Sequence, residues 1–557
     1  MNTAVPFPGI CIRLSLLIGY ISFYALLTAQ NPEFIWAKEF GGVGDENCGA
    51  IRVDNSGNVY TTGRFFGTVD FDPGAGVYNL TSSGIGTWNI YVSKLNSSGE
   101  FVWAKKLGGT SRSEGWSLDI DNNGNVLSTG IFQGTADFDP GAGTYNLSSS
   151  GLYDVYVSKL NSSGEFVWAQ KIGGNASHQV FRYSIVTDSD GNAYFSGHFS
   201  GTGDFDPGPG TFTLASVSNS DDIFIEKLNS SGEFVWAKQM GGTLTDWGWS
   251  IALDNSGNVI TTGWFKGTGD FDPGAGTYNM TSNGVEDIFI SKLNNLGEFV
   301  WAKQLGGTSL DVGISTNVDN SDNVYTTGVF RGLVDFDPGA GTFNLTSFGS
   351  INGDVFILKL NNAGAFVWAK QLGGTGSDLG YAIDIDNAGD VYSTGSFAGT
   401  ADFDPGTGTY TLTASTTSNI FVSKLNSAGV FVWAKQLGAS SPVSEEGAIA
   451  AQSNGDVYTA GSFTGTGDFD PGTGTYNLTS NGNQDIFISK LDQTICTPVD
   501  ITTQPVSQLS NTCDSVSFSV SVAGDSPFTY QWYKNSVLIP GATDSVYTTP
   551  LLTMSNN

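Results

Sequence analysis

Histidine is almost missing from this sequence: His178 and His198 are the only two in 557 residues. Neither belongs to a Ser-His-Asp order, a Cys-His pair or an HExxH motif, so the usual sequence marks of a hydrolase or a zinc protease are absent. Cysteine is nearly as scarce, at four residues. No CxxC pair exists among them, which argues against a zinc module or a thioredoxin-type motif. Cys11 lies in an apolar leader and Cys48 in the body of the chain. Cys496 and Cys513 are candidates for a disulfide, although three mature cysteines cannot all pair within one chain. Charge is sparse as well, at 14% of residues, with 23 basic against 53 acidic. The net charge of −30 argues against nucleic acid and anionic membranes as partners. It suits solubility in a salty extracellular medium, and it favours cations, basic partners or neutral glycans. Only one long apolar run exists, Leu14 to Leu27, and its 14 residues are short for a membrane span. Arg13 precedes it and Thr28-Ala29-Gln30 follows. Residues 1–29 therefore read as a signal peptide, and the mature protein is expected to be secreted or held at the cell surface.

What the chain has in abundance is glycine, at 75 residues, and aromatic side chains, at 13%. Gly-rich turns between aromatic and β-branched runs predict an all-β protein. The runs repeat. A Phe-(Ile/Val)-Trp-Ala motif places its Trp at 36, 103, 168, 236, 301, 368 and 433. A second motif, Asp-Phe-Asp-Pro-Gly, begins at Asp70, Asp137, Asp204, Asp270, Asp335, Asp402 and Asp468. The period is roughly 66 residues, the mark of a repeat architecture. One period holds four strand-like runs. In the second repeat these are strand a, Trp116 to Ile120; b, Val126 to Phe132; c, Val155 to Leu160; and d, Phe166 to Ile172. Tight Asn- and Gly-bearing turns join a to b and c to d, as hairpins require. Four short antiparallel strands per repeat make the blade of a β-propeller.

The ends predict a closed ring. The first repeat unit opens with a lone strand d, Phe34 to Phe40, and the last stops after strand c, Ile486 to Leu491. The N-terminal strand can complete the seventh blade, burying edges that an open stack would expose. A seven-bladed propeller is thus expected over residues 31–496.

Three motifs carry a family resemblance. They are Asp-x-x-Gly-Asn-Val-Tyr-x-Thr-Gly (Asp54 to Gly63), Asp-Ile-Phe-Ile-Ser-Lys-Leu (Asp287 to Leu293) and Phe-Val-Trp-Ala-Lys-Gln-Leu-Gly-Gly (Phe299 to Gly307). Together they resemble the bacterial SBBP family of seven-bladed β-propeller repeats, over about Phe34 to Leu491. The resemblance implies an extracellular propeller and brings no shared catalytic residues. Some copies drift: Asp322 replaces the turn Gly of the fifth repeat, and Gln452 the turn Asp of the seventh.

Beyond the repeats, residues 497–504 read as a linker. Residues 505–557 read as a truncated immunoglobulin-like β-sandwich, with Phe528-Thr-Tyr-Gln-Trp-Tyr533 resembling its Trp-bearing third strand.

Candidate sites gather on one side of the ring. The b–c and d–a connections leave a propeller on the same face, and here the b–c connections are long, so this face is expected to be functional. It is also expected to be acidic. Each b–c connection brings two aspartates: Asp70 and Asp72, Asp137 and Asp139, Asp204 and Asp206, Asp270 and Asp272, Asp335 and Asp337, Asp402 and Asp404, Asp468 and Asp470. Most d–a loops add another acid, Glu46, Glu114, Asp246, Asp311, Asp378 or Glu445. Paired carboxylates with turn carbonyls are suitable Ca²⁺ ligands; the competing role is a structural turn, in which Asp bonds local amides and Pro-Gly sets the bend. The Asp54-Asn-Ser-Gly-Asn58 type of turn reads as a hairpin, since it lacks the distal Glu of an EF-hand. Trp116, Tyr183, Trp249 and Tyr381 recur at one strand-a position and share a face with Leu118, Ile185, Ile251 and Ile383, which favours packing between blades over a sugar platform. Trp88, Trp247 and Trp264 recur nowhere and are the better ligand candidates. Asn79-Leu-Thr81 and similar triplets would be glycosylated only in a eukaryotic secretory path.

The expected function is a non-catalytic binding or adhesion scaffold for an extracellular protein or glycan, with Ca²⁺ as a candidate stiffening ion. A carbohydrate-active enzyme, a lyase or glycosidase, is the alternative, and an asymmetric polar cluster at the axial channel would favour it. A structural surface-coat repeat is the third reading.

Overall fold

In strands b and c the polar–apolar alternation expected of a half-exposed sheet disappears, because these strands are covered on both faces. In blade 2, strand b (Val126–Phe132) and strand c (Asp154–Leu160) are buried along their whole length. Strand d (Phe166–Ile172) returns to partial exposure at the outer edge, while strand a (Ser113–Ile120) lies innermost. The four pair antiparallel in the order d-c-b-a. A sheet buried on both faces needs a neighbour on each side, and a ring of blades supplies both. The computed structural model describes residues 32–84, 86–173, 183–349, 352–438, 447–493, 500–506, 514–523, 530–534 and 537–551. The signal-peptide reading, the Cys496–Cys513 pairing, His178 and Glu445 fall outside these residues.

Seven such blades form an all-β propeller, with each strand a beside the next around the whole circle. The ring closes as the sequence predicts. Blade 7 takes strands a to c from Gly447–Ala451, Val457–Phe463 and Asp485–Asp492, and its strand d is the N-terminal Glu33–Gly42. Phe34 pairs with Leu491 and Phe40 with Ile486 across this seam. Residues 32–493 form one compact unit.

The b–c connection holds an element that the sequence pattern did not announce. In blade 2, Thr135–Asp137 and Asn146–Ser148 form a short hairpin, and Ala136 and Asp137 pair with Gly109 and Gly108 at the end of blade 1 strand d (Phe101–Gly109). The hairpin thus extends the sheet of the preceding blade. The Phe of each Asp-Phe-Asp-Pro-Gly motif fastens this latch. All seven, from Phe71 to Phe469, are at most 1% exposed. Phe71 sits 5.4 Å from Phe40 of blade 7 and 5.0 Å from Tyr91 of blade 1.

Other repeated side chains also serve the ring. The indole N–H of Trp103 donates to the Ser162 carbonyl in the next blade's c–d turn at 3.2 Å, and Trp36, Trp168, Trp236, Trp301 and Trp368 do the same. The strand-c lysine reaches the a–b turn aspartate. Lys292 lies 2.7 Å from Asp254 and Lys159 2.9 Å from Asp121, and all four side chains are nearly buried. The departures from the pattern are accommodated individually. Asp322 takes the left-handed conformation of the missing Gly (φ 61°), and its carboxylate accepts the Asn255 amide of blade 4 at 3.0 Å. Gln452 donates to the Asp54 carbonyl at 2.7 Å.

The C-terminal unit is separate. Asp500–Thr503 pairs with Ser521–Ala523, Ser517–Ser519 with Val546–Thr548, and Tyr533–Lys534 with Val537–Leu538. Val516, Phe518 and Trp532 form its buried cluster, and the Trp532 indole donates to the Asp544 carbonyl at 2.8 Å. Residues 500–503, expected in the linker, are therefore a strand of this unit, because their partner strand lies beyond the break in the repeat pattern.

Candidate functional site

The seven strands a enclose an axial channel of about 330 Å³. Each runs from the d–a face towards the a–b turns, so side chains of different repeats meet in successive rings. Nearest the d–a face are Trp116, Tyr183, Trp249, Ile314 and Tyr381, with Gly49 and Gly447 completing the circle. A β-bulge decides this placement. In blade 2 the register slips between Gly115 and Ser117, leaving Trp116 as the extra residue. Sequence alternation had put Trp116 and Leu118 on one face; the bulge separates them. Trp116 joins the core between blades 2 and 3, and Leu118 the core between blades 1 and 2. The collar is mostly packing, with Trp116 8%, Tyr183 2% and Tyr381 5% exposed.

Towards the a–b turns the channel becomes polar and loses its symmetry. Arg52, Asp119, Asn317 and Asp384 occupy one level, where blades 3 and 4 carry Val186 and Ala252. This is the asymmetric polar cluster whose presence would favour an enzyme, but its carboxylates are engaged between blades. Asp119 accepts Arg52 Nε at 3.2 Å, and the Thr187 amide and hydroxyl at 2.7 and 2.8 Å. Asp384 accepts Asn317 Nδ2 at 2.6 Å and the Ala451 amide at 2.7 Å. Burial raises the Asp384 pKa, opposed by the Ala451 amide and by the charge of Arg52.

The acidity expected of the d–a face lies inside the protein. Glu46, Glu114, Asp246, Asp311 and Asp378 are all 0% exposed. Asp246 accepts the Gly242 amide at 2.7 Å and the Lys266 amide at 2.9 Å, so it pins a loop that sequence position alone would leave in solvent. Burial is the main cause of its raised pKa, about 7, and of that of Glu46, about 8. Burial likewise raises Asp485, to about 6, and its charge adds to the rise of Glu46.

The motif aspartates lie far apart, each pair in its own hairpin. The first accepts two backbone amides: Asp137 Oδ1 takes Asp139 N at 3.1 Å and Tyr145 N at 2.8 Å. The second caps the Pro-Gly bend, with Asp139 Oδ1 accepting Gly141 N at 2.8 Å. The same bonds recur for Asp70 and Asp72, Asp204 and Asp206, Asp270 and Asp272, Asp335 and Asp337, Asp402 and Asp404, and Asp468 and Asp470. Among the described residues no three His, Cys, Asp or Glu side chains come together as a metal site. These bonds need an acceptor oxygen and no charge. Asp137→Asn is therefore expected to melt like the parent, and Asp137→Ala to cost about 1–2 kcal/mol. Thermal unfolding of both variants, with and without Ca²⁺, checks this; equal losses in both, tied to Ca²⁺, would show an ion there instead.

The unrepeated aromatics divide. Trp264 is 7% exposed and lies against Trp247, with ring centres 4.9 Å apart. Trp247 keeps part of its surface in solvent. It stacks on His198 at 4.6 Å, and its indole donates to Asp221 at 3.0 Å. His198 is 0% exposed within this aromatic stack. Trp88, also half-buried, meets residues that the repeat pattern did not single out: Arg64 and Arg112, 5.1 and 4.9 Å from its ring centre. The only sequence signal for them was rarity, since the whole chain has six arginines.

The blades, the axial channel and the N-terminal seam define a seven-bladed β-propeller repeat protein. No family model matches the chain. It is 25% identical over 268 residues to an uncharacterized WD repeat-containing protein of Acanthamoeba polyphaga mimivirus, covering 42% of this chain and 19% of that one. It is 22% identical over 206 residues to the regulatory protein FlaEY of Caulobacter vibrioides, covering 35% and 21%. The matches thus span about a fifth of each relative's length. Among solved structures, a Bacteroides caccae protein of unknown function aligns at a TM-score of 0.29 with 12% identity, over 64% of this chain and 92% of that one.

Proposed function

We propose that this chain is an exported, non-catalytic binding scaffold that engages an extracellular glycan or protein through the d–a and b–c face around the axial channel. One contrast carries the reading. The repeated residues described above are used in hydrogen bonds and packing that hold the ring together, whereas Trp88 and Trp247 are unrepeated, half-buried and on this one face. Partly exposed tryptophans on a rigid frame are what recognition of a sugar ring or a protein side chain needs, because they offer area at little entropic cost. The C-terminal unit, read as immunoglobulin-like, would act as a spacer or a second adhesive module.

The test is a screen of the full chain against glycan and extracellular-protein arrays, followed by titration of each hit by tryptophan fluorescence. Saturable binding is expected, weakened about tenfold or more by Trp247→Ala and unaffected by Asn123→Ala in an a–b turn on the opposite face. Chemical turnover of a bound glycan, or loss of binding only from the opposite-face change, would overturn the proposal.

A further inference from the structure

Arg64 and Arg112 converge on one carboxylate, Glu114, at the junction of blades 1 and 2. Arg64 Nη1 lies 2.6 Å from Glu114 Oε2, and Arg112 Nε bonds Oε1. The Glu114 side chain is 1% exposed, whereas the arginines are 24% and 30% exposed. A buried carboxylate therefore holds two guanidinium groups at the surface, with their planes fixed further by Trp88. Arg64 also lies 5.9 Å from the Trp116 ring centre, and Arg112 lies 5.8 Å from that of Tyr153.

The charge count leaves an excess. Two cations share one anion, and each guanidinium carries five N–H donors, so two oxygens cannot occupy them all. On a chain of net charge −30, a locally positive patch on the candidate binding face is out of keeping with its surroundings. Among the described residues it also occurs once. The strand-b position of Arg64 holds Ile131, Trp264, Val329 and Ser396 in other blades, and the strand-a position of Glu114 holds Asn47, Trp247, Val312 and Leu379. The ring does not need this trio for its closure, because these other blades manage without it.

We propose that Arg64 and Arg112, oriented by Glu114 and flanked by Trp88, form a subsite for the carboxylate of an acidic sugar. This deepens the binding-scaffold reading and rests on it. Pre-oriented planar forks suit a carboxylate through paired N–H···O bonds, and the aromatic flank suits the apolar face of the sugar ring that bears it. At physiological salt the negative charge elsewhere is largely screened beyond about 8 Å, which leaves recognition to this local geometry.

The probe is an oligogalacturonate and its neutral methyl ester, titrated into the full chain at physiological salt. The acid is expected to bind about tenfold or more tightly than the ester. Arg112→Gln should weaken the acid by a similar factor and leave the ester unchanged. Arg112→Lys serves if that variant fails to fold; it keeps the charge but loses the fork, and should still weaken the acid several-fold. Equal affinities for acid and ester, no binding of the acid, or indifference of either folded variant would overturn the proposal. So would binding of sulfated dextran alone, which would contradict the carboxylate assignment. Binding of neutral glycans or proteins that responds to Trp247→Ala but not to Arg112 would leave the scaffold reading standing and remove this subsite.

Discussion

Deleting residues 32–42 from the full chain is expected to abolish the folded propeller, although it removes only one strand of 28 in the blades. That strand is the outer strand of blade 7, and it arrives from the other end of the chain. It pairs along 485–492 and then, through Gly41 and Gly42, with the blade 1 hairpin at Asp70 and Val69. Trp36 is 7% exposed, Ala37 and Phe40 are 0%, and Phe40 belongs to the core that joins blades 7 and 1. Losing a buried Phe or Trp costs about 3–5 kcal/mol each, and the deletion also unpairs the edges of two blades. Total stabilities of about 5–15 kcal/mol do not survive this. Aggregation and a lost cooperative melt are the expected readouts, with partial rescue by an added peptide of the same sequence. The point variant Phe40→Ala should fold but melt lower. Gly41→Ala should be nearly as harmful, because a Cβ there overlaps the buried Asp485 carboxylate. An unchanged melt after the deletion would mean that the ring does not close in this way.

Replacing Glu226 by Leu is expected to stabilise the protein, and increasingly so as pH rises. Glu226 lies in blade 3 strand c at 0% exposure, and among the described residues neither of its carboxylate oxygens is hydrogen-bonded. At this position blades 1, 2, 4, 6 and 7 carry a Ser that bonds a hydroxyl on strand b, such as Ser93 with Thr61 at 2.7 Å. In blade 3 the partner is Phe195, which offers no hydroxyl, and blade 5 carries Leu358. Burial raises the Glu226 pKa well above 4.5, helped by Asp206 and Asp204. A raised carboxyl contributes fully below the unfolded pKa and loses ground above it, since the unfolded chain releases a proton that the folded chain retains. Above about pH 4.5 stability should therefore fall by about 1.4 kcal/mol per pH unit until the folded group ionises. Glu46, raised to about 8, adds the same sign of dependence. Melting curves from acid to mildly alkaline pH check this. Glu226→Leu should flatten part of the slope and gain about 1–3 kcal/mol even where the carboxyl is protonated, by removing an unsatisfied polar group. Glu226→Gln should flatten the slope without that gain. A lower melt for Glu226→Leu at alkaline pH would show that the carboxylate has a partner worth keeping.

What could be read from the sequence was whatever the repeats state many times. Seven Trp motifs and seven Asp-Phe-Asp-Pro-Gly motifs fixed the blade number. The missing last strand and spare first strand fixed the closure. Strands b and d of blade 2 fall at the predicted residues. These are local consequences of hairpin turns and of side chains buried on both faces, which a linear pattern records. Features that depend on another blade were hidden. The three-residue latch strands exist only because a neighbour's edge accepts them. The bulge at Trp116 reverses the face that simple alternation assigns, and the buried sites of Asp246 and its counterparts turn an expected acidic surface into internal pins. Arg64 and Arg112 stand 48 residues apart and have no periodic signal; only the fold brings both onto Glu114. The sequence by itself determined the ring, because a periodic chain repeats its local physics. The tertiary structure alone decided which side chains meet around the axis and on its face, because those meetings join different repeats and follow from closure of the ring.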